Sequence, residues 1–193
     1  MTEPTKRLIV AITGASGTVY GIRTLDALRA VSDVETHLVI SGSARSTVAA
    51  ETDLAVAEIE AKADVVHSWK DIGASIASGS FETGGMIVAP CSIKTLSAVA
   101  NSFSADLISR SADVTLKERR PLVLMVRETP FHLGHLRLMT QVAEMGGVIY
   151  PPVPAFYHQP QTLTDMVDHT VARALELVGV SVPGTPRWAG RSS

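Results

Sequence analysis

The sequence predicts an α/β fold in which a mostly parallel sheet is covered by helices on both faces. Three observations predict it. Short, wholly apolar runs recur along the chain, at 8–12, 86–89 and Leu122–Val126 among others. A strand that is apolar on both faces is buried on both, as in a parallel sheet. Segments of helical period lie between the runs, which gives the strand-helix alternation of this class. The runs also end in glycine and hydroxyl residues, which suit tight turns into helices.

The elements follow in order. The run 8–12 reads as the first strand, and Thr13-Gly14-Ala15-Ser16-Gly17 as the turn after it. Tyr20, Ile22, Leu25 and Leu28 then recur at helical spacing. Residues 35–40 form a second strand ending at Ser41-Gly42-Ser43, and 44–50 and 53–63 read as helices. A short third strand is expected at 65–67, then a Ser- and Gly-rich loop at 74–85. The fourth strand, 86–89, is expected to stop at Pro90. Helices are expected at 92–100 and 105–117, with the fifth strand, Leu122–Val126, after them. A helix at 133–145 closes on Gly146-Gly147, a last strand covers 148–150, and the prolines at 151, 152 and 154 stiffen the next loop. Thr162 and Asp165 form a capping box for a helix at 162–178. Leu163, Met166, Val167, Val171, Ala174, Leu175 and Val178 make its apolar stripe.

Composition narrows the function classes. Net charge is −2, which gives no general attraction to nucleic acid or acidic membranes. The one cysteine, Cys91, excludes an internal disulfide and suits a reducing cytoplasm. No apolar run approaches the roughly 20 residues that span a bilayer, and the start MTEPTKR has no apolar leader core. The expected location is therefore the cytoplasm. The six histidines form no HExxH pattern, and no metal site is expected.

In such sheets ligands bind beyond the carboxyl ends of the strands, so the residues there carry the functional reading. Gly14, Ala15 and Ser16 make either a phosphate loop at a helix start or an ordinary turn. The pattern is not GxGxxG, and the second strand ends in Ser41 where an NAD site typically has an acid. Ser92, Ile93, Lys94 and Thr95 open another helix, either as a polar ligand site or as a simple cap. Arg127 and Glu128 end the fifth strand directly. Arginine offers a planar fork for phosphate, and glutamate can carry a proton. An exposed ion pair is the plainer alternative. The cluster Lys117-Glu118-Arg119-Arg120 reads mainly as a solvated helix end, with Arg110 seven residues upstream of Lys117 on the same face. Arg173 borders the apolar stripe of the last helix and needs a partner, a ligand or a snorkelling path. Tyr157 is either a phosphate donor or a loop anchor. Glu51 alone is an ordinary surface acid.

GASG, ASGSF, PCSIKTL, ADVTLKERRPLVL, RETP, PPVPAFYHQPQ and PRW stand in this chain in one order and spacing. Together they resemble the UbiX family of flavin prenyltransferases over nearly the whole chain. HLGHLRLM (132–139) is most similar to members associated with aromatic-acid decarboxylases. The resemblance implies a Rossmann-like three-layer sandwich, a six-stranded sheet ordered 3-2-1-4-5-6, and a single flavoprotein domain over 1–180 with a tail at 181–193. It implies a homo-oligomer, a dodecamer, whose subunits share the pocket. It implies reduced FMN as acceptor and dimethylallyl phosphate as donor, without a metal. The product would be prenylated FMN, joined at N5 and C6, for a UbiD-type decarboxylase.

The resemblance also assigns roles. Gly14, Ala15, Ser16, Ser41, Ser92, Ile93, Lys94, Thr95 and Arg127 would hold FMN. Ser78, Arg110, Lys117, Arg127, Tyr157 and Arg173 would form the donor-phosphate site. Glu128 would protonate the leaving phosphate. Glu51 with Ser16 would assist closure at C6, and Trp188 would cover the pocket. The chain departs from the family pattern at Thr18, Ile72, Ala105-Asp106, Ser111 and Leu138, none of them a proposed catalytic group. Two rivals share the fold or the ligand: an FMN-dependent cysteine-type decarboxylase and a non-catalytic prenyl-FMN carrier. The first typically needs a histidine in the N-terminal half, where only His37 and His67 stand.

Overall fold

A computed structural model describes residues 6–186 and 190. The sheet has six strands in the order β3-β2-β1-β4-β5-β6. They are β1 (Lys6–Ile12), β2 (Val34–Ile40), β3 (Val65–Ser68), β4 (Met86–Cys91), β5 (Leu122–Val126) and β6 (Val148–Ile149), and every neighbouring pair is parallel. The order implied by the resemblance is the order found.

Alternate residues of each strand feed opposite cores. Leu8, Val10 and Ile12 of β1 face α1 (Thr18–Arg29), α2 (Gly42–Glu51), α3 (Val56–Glu60) and α7 (Leu163–Leu177). Ile9 and Ala11 face α4 (Ile93–Ala100), α5 (Leu107–Lys117) and α6 (Leu133–Glu144). This double burial explains why the strands read as continuous apolar runs. α1 lies close on the sheet because position 21 is glycine: a Cβ there would collide with Ile12 and the Ala89 carbonyl.

Three features differ most from expectation. β4 does not stop at Ala89; it continues through Pro90 to Cys91, with a register shift against β5 between Val88 and Cys91. The irregular register lets the ladder continue past a residue that has no N–H to donate. The expected helix 53–63 shrinks to α3, because the backbone is extended at Thr52 and Ala55. In α7 the stripe begins later than predicted: Leu163 is 78% exposed, while His169 and Thr170 are buried. The 74–85 loop is irregular as expected, apart from a single 3-10 turn at Ser75–Ala77.

Candidate active site

β1 is flanked by β2 and β4, so the chain's strand order reverses between β1 and β4. A crevice at that point is the usual ligand site of a doubly wound sheet. Thr13 ties its two walls. Its buried hydroxyl donates to Pro90 O at 2.7 Å and accepts from Ser92 N at 2.8 Å. Arg127 N, at the end of β5, donates to Cys91 O at 3.0 Å. The carboxyl ends of β1, β4 and β5 are therefore locked together.

Two helices begin at this crevice with serine caps. Ser41 Oγ accepts from Ala44 N at 3.1 Å, and Ser92 Oγ accepts from Thr95 N at 3.3 Å. Ser92 and Thr95 hydroxyls lie 3.2 Å apart, as do those of Ser41 and Ser43. The first N–H groups of a helix have no partner within it. Those of Gly42 and Ser43 in α2, and of Ile93 and Lys94 in α4, have none among the described residues. Together they offer anion-binding donors with adjacent hydroxyls. Gly14 sits against α2; a Cβ there would overlap Ser43, so the turn and the helix start close on each other.

The start of α1 is different. Glu51, at the end of α2, already fills that position. Its carboxylate accepts from Gly17 N at 2.9 Å and Thr18 N at 2.9 Å. Burial pushes the carboxyl up, but hydrogen bonds from Ser16, Thr18 and Gly17 outweigh it and hold the group below its ordinary value. An anion at a helix start is favoured by the dipole, and here the protein supplies its own. Ser16 and Glu51, paired by the resemblance, do meet.

Arg127 is exposed and Glu128 half-buried. They form no ion pair with each other. Glu128 accepts from Thr129 N at 2.9 Å, and the Arg127 guanidinium has no partner among the described residues. This excludes the plain ion-pair reading. It leaves a cation fork and a carboxyl at the carboxyl end of β5, next to the crevice.

The remaining predicted phosphate ligands stand elsewhere. Lys117 ends α5, just before β5 begins, at the amino ends of the strands. A strand as long as β5 spans roughly 17 Å, which separates Lys117 from Arg127 and Glu128. Gly79, the residue after Ser78, lies against this end of α5: a Cβ there would strike the side chains of Lys117 and Glu118. Lys117 is ion-paired with Glu118. Arg110 joins the group by donating to Ala77 O at 3.2 Å. A third group lies around α7. Tyr157 Oη and His169 Nε2 are 2.9 Å apart, and His158 stacks on His169 with ring centroids 4.1 Å apart. Burial and the nearby charges of His158 and Arg173 hold the His169 imidazole below its ordinary value. Arg173 points outward from the stripe and pairs with Glu176. One chain thus presents the predicted site residues in three places.

Sequence reasoning missed Arg120 and His169. Arg120 is not a solvated helix end; its guanidinium donates to Phe81 O at 2.9 Å and Gly79 O at 2.8 Å. Nothing in KERR distinguishes Arg120 from its neighbours. His169 occupies a buried position of α7, where a polar side chain calls for a partner. Cys91 is fully buried, and burial pushes its thiol up, so it is a structural thiol and no nucleophile. His37 and His67 do not serve the crevice: their ring nitrogens bond each other at 2.9 Å on the sheet, and His37 also meets Glu35 at 2.7 Å. Trp188 lies outside the described residues.

A family model described as Flavoprotein matches residues 1–175. The flavin prenyltransferase UbiX of Escherichia coli strain K12 is 59% identical over 187 residues, covering 96% of this chain and 99% of that protein. The chain belongs to the UbiX family of flavin prenyltransferases. It is a flavoprotein transferase. A UbiX flavin prenyltransferase of Thauera aromatica is 57% identical over 184 residues, 95% of this chain and 94% of its own. Among solved structures, AnUbiX (PadA1) in complex with FMN and dimethylallyl pyrophosphate superposes with a TM-score of 0.94 at 49% identity, covering 97% of this chain and 99% of that one. A dodecameric FMN-dependent UbiX-like decarboxylase from Escherichia coli O157:H7 superposes at 0.93 with 46% identity, covering 95% and 100%. The FMN-dependent cysteine decarboxylase TvaF shares 15% identity at a TM-score of 0.63, a likeness of fold alone. The UbiX reading therefore stands over the cysteine-decarboxylase one. Among the described residues, no helix is long and apolar enough to cross a membrane.

Proposed function

We propose that the chain transfers the dimethylallyl group of dimethylallyl phosphate to N5 and C6 of reduced FMN, and that a UbiD-type decarboxylase receives the product. The observation that carries this reading is the unpaired Arg127 guanidinium beside Glu128 at the end of β5. The donor set of the crevice fits a flavin phosphate: paired hydroxyls at Ser41–Ser43 and Ser92–Thr95, with open N–H groups at two helix starts. The phosphate belongs at α2 and α4, because Glu51 holds the start of α1. Reduced FMN, when bound, supplies the electron-rich ring that accepts the prenyl carbon.

The residues of the chain then act on the donor. As the allylic C–O bond breaks, its electron pair stays on the phosphate oxygen. Arg127, Lys117 and Arg173 are cations suited to that charge, and Arg110 and Tyr157 complete the donor site. Glu128 in its protonated form gives a proton to the departing phosphate. Glu51, held by the Ser16 hydroxyl, would take the proton lost when C6 forms its bond.

The three separate groups of one chain imply that the site is completed between subunits. A dodecamer like that of the solved relative would set the Ser78–Lys117 surface of one subunit against the Arg127–Glu128 end of another. The test is phosphate release. Reduced FMN and dimethylallyl phosphate are expected to yield one phosphate per flavin consumed, with the diphosphate run in parallel to fix the donor. Phosphate release without flavin consumption would mean hydrolysis, and the reading would fail.

A further inference from the structure

We propose that Arg120 is a positioning residue of the donor-phosphate site: it holds loop 77–83 so that Ser78 and Lys117 face the same anion. The inference rests on the prenyltransferase reading above.

The end of α5 sets the geometry. Arg119 takes a left-handed conformation, φ 55°, with its N–H on Leu116 O at 2.9 Å. Arg120 N reaches back to Thr115 O at 2.9 Å. The two bonds are those of a Schellman turn. The turn reverses the chain and brings Arg120 over the loop that precedes β4.

The guanidinium then spans that loop. One terminal nitrogen donates to Phe81 O at 2.9 Å and Thr83 Oγ1 at 3.4 Å; the other donates to Gly79 O at 2.8 Å. A planar fork can bridge these three acceptors, and a lysine ammonium cannot do so in the same geometry. The loop's own backbone order is limited to the turn at Ser75–Ala77 and one hydrogen-bonded turn, in which Phe81 N donates to Ser78 O at 3.2 Å. Its other ties are to side groups. Arg110 holds Ala77 O, the Arg7 guanidinium lies 4.7 Å from the Phe81 ring centroid, and the Phe81 and His37 rings meet edge-to-face with centroids 5.3 Å apart. Among the described side chains, Arg120 is the one that bonds the loop at Gly79, Phe81 and Thr83 together, across the backbone turn Ser78–Phe81.

What the loop presents is Ser78. Its hydroxyl lies 2.9 Å from that of Ser80, and the next residue, Gly79, abuts the side chains of Lys117 and Glu118. The two hydroxyls and the Lys117 ammonium, with its Glu118 partner, thus share one surface while Gly79 stays against α5. The bond from Arg120 to Gly79 O ties Gly79 directly to the end of α5.

The test is a double-mutant cycle on the full-length, FMN-loaded protein. Dimethylallyl phosphate binding is measured by calorimetry with oxidised FMN, and transfer kinetics with reduced FMN. Arg120→Met is expected to weaken donor binding and raise donor KM about tenfold, while kcat and FMN affinity change less than twofold; Arg120→Lys should recover only part. Ser78→Ala should weaken donor binding in the wild type but add little in the Arg120→Met background, since residues that act through one another are not additive. Additive losses, an unchanged donor KM in Arg120→Met, or an equal fall in FMN affinity would overturn the assignment of Arg120. A wild-type protein that neither binds the donor nor transfers the prenyl group would instead overturn the reading beneath it, and the assignment with it.

Discussion

Glu51 caps a helix it does not belong to. It ends α2, yet its carboxylate accepts from Gly17 N and Thr18 N, both at 2.9 Å, at the start of α1. Ser16 bonds the same carboxylate. One residue therefore fixes the turn after β1 and holds a carboxylate beside the crevice.

A pH dependence follows from this cap. The hydrogen bonds place the folded-state pKa below its ordinary 4.5, so the unfolded chain takes up the proton first. The stabilisation is complete at neutral pH and is lost as pH falls below that value through the folded one. Glu51→Gln should cost about 1 kcal/mol at pH 7, a modest figure because the group is exposed and screened. It should also flatten the acid limb of thermal stability. Melting curves from pH 7 to pH 3.5 check this; an unchanged acid limb would remove the cap from the account.

Gly14→Ala tests the closeness of the crevice walls. The added methyl would overlap Ser43, and the backbone must shift to admit it. Overpacking of this kind costs roughly 1–3 kcal/mol. FMN affinity should fall at least about tenfold, the equivalent of 1.4 kcal/mol. Fluorescence titration would show it, and wild-type affinity would mean that the turn does not border the flavin.

Glu128→Gln separates binding from chemistry. The amide keeps the shape and loses the transferable proton. FMN and donor should bind as in the wild type, while transfer slows on the order of 100-fold or more. Single-turnover kinetics would read the step directly, and a normal rate would release Glu128 from the acid role.

Arg173→Ala should raise donor KM about tenfold and leave FMN affinity nearly unchanged. The measured KM and FMN Kd decide it. Lost flavin binding with an unchanged donor KM would reverse the assignment.

Subunit mixing tests the division of the site. Lys117 and Arg127 stand at opposite ends of β5. Lys117→Ala and Glu128→Gln proteins, each impaired alone, should recover part of the activity when dissociated and reassembled together, because some sites then combine two intact halves. Assemblies shown by native mass spectrometry to be mixed, yet inactive, would place the whole site within one chain.

Much of this was legible in the sequence. The strands announced themselves because burial on both faces leaves no polar residue in Leu122–Val126, and Ser92 announced a cap because a hydroxyl there satisfies orphan N–H groups. Pro90 misled, because a shift in register carried the strand past it. Glu51 reads as a surface acid, since its partners, Gly17 and Thr18, are more than thirty residues away and meet it only when β2 and α2 are in place. Arg120 looks like its neighbours in KERR until the Schellman turn distinguishes it. Periodicity carries information about burial; it carries none about which distant loop a long side chain will reach.

The central claim is prenyl transfer to the flavin, and its most direct test is the mass of the flavin itself. The protein is incubated without oxygen with reduced FMN and dimethylallyl phosphate, and the extracted flavin is weighed by mass spectrometry. The expected result is a gain of one five-carbon prenyl unit. Unmodified FMN recovered from a protein that binds it, with the diphosphate donor failing as well, would contradict it.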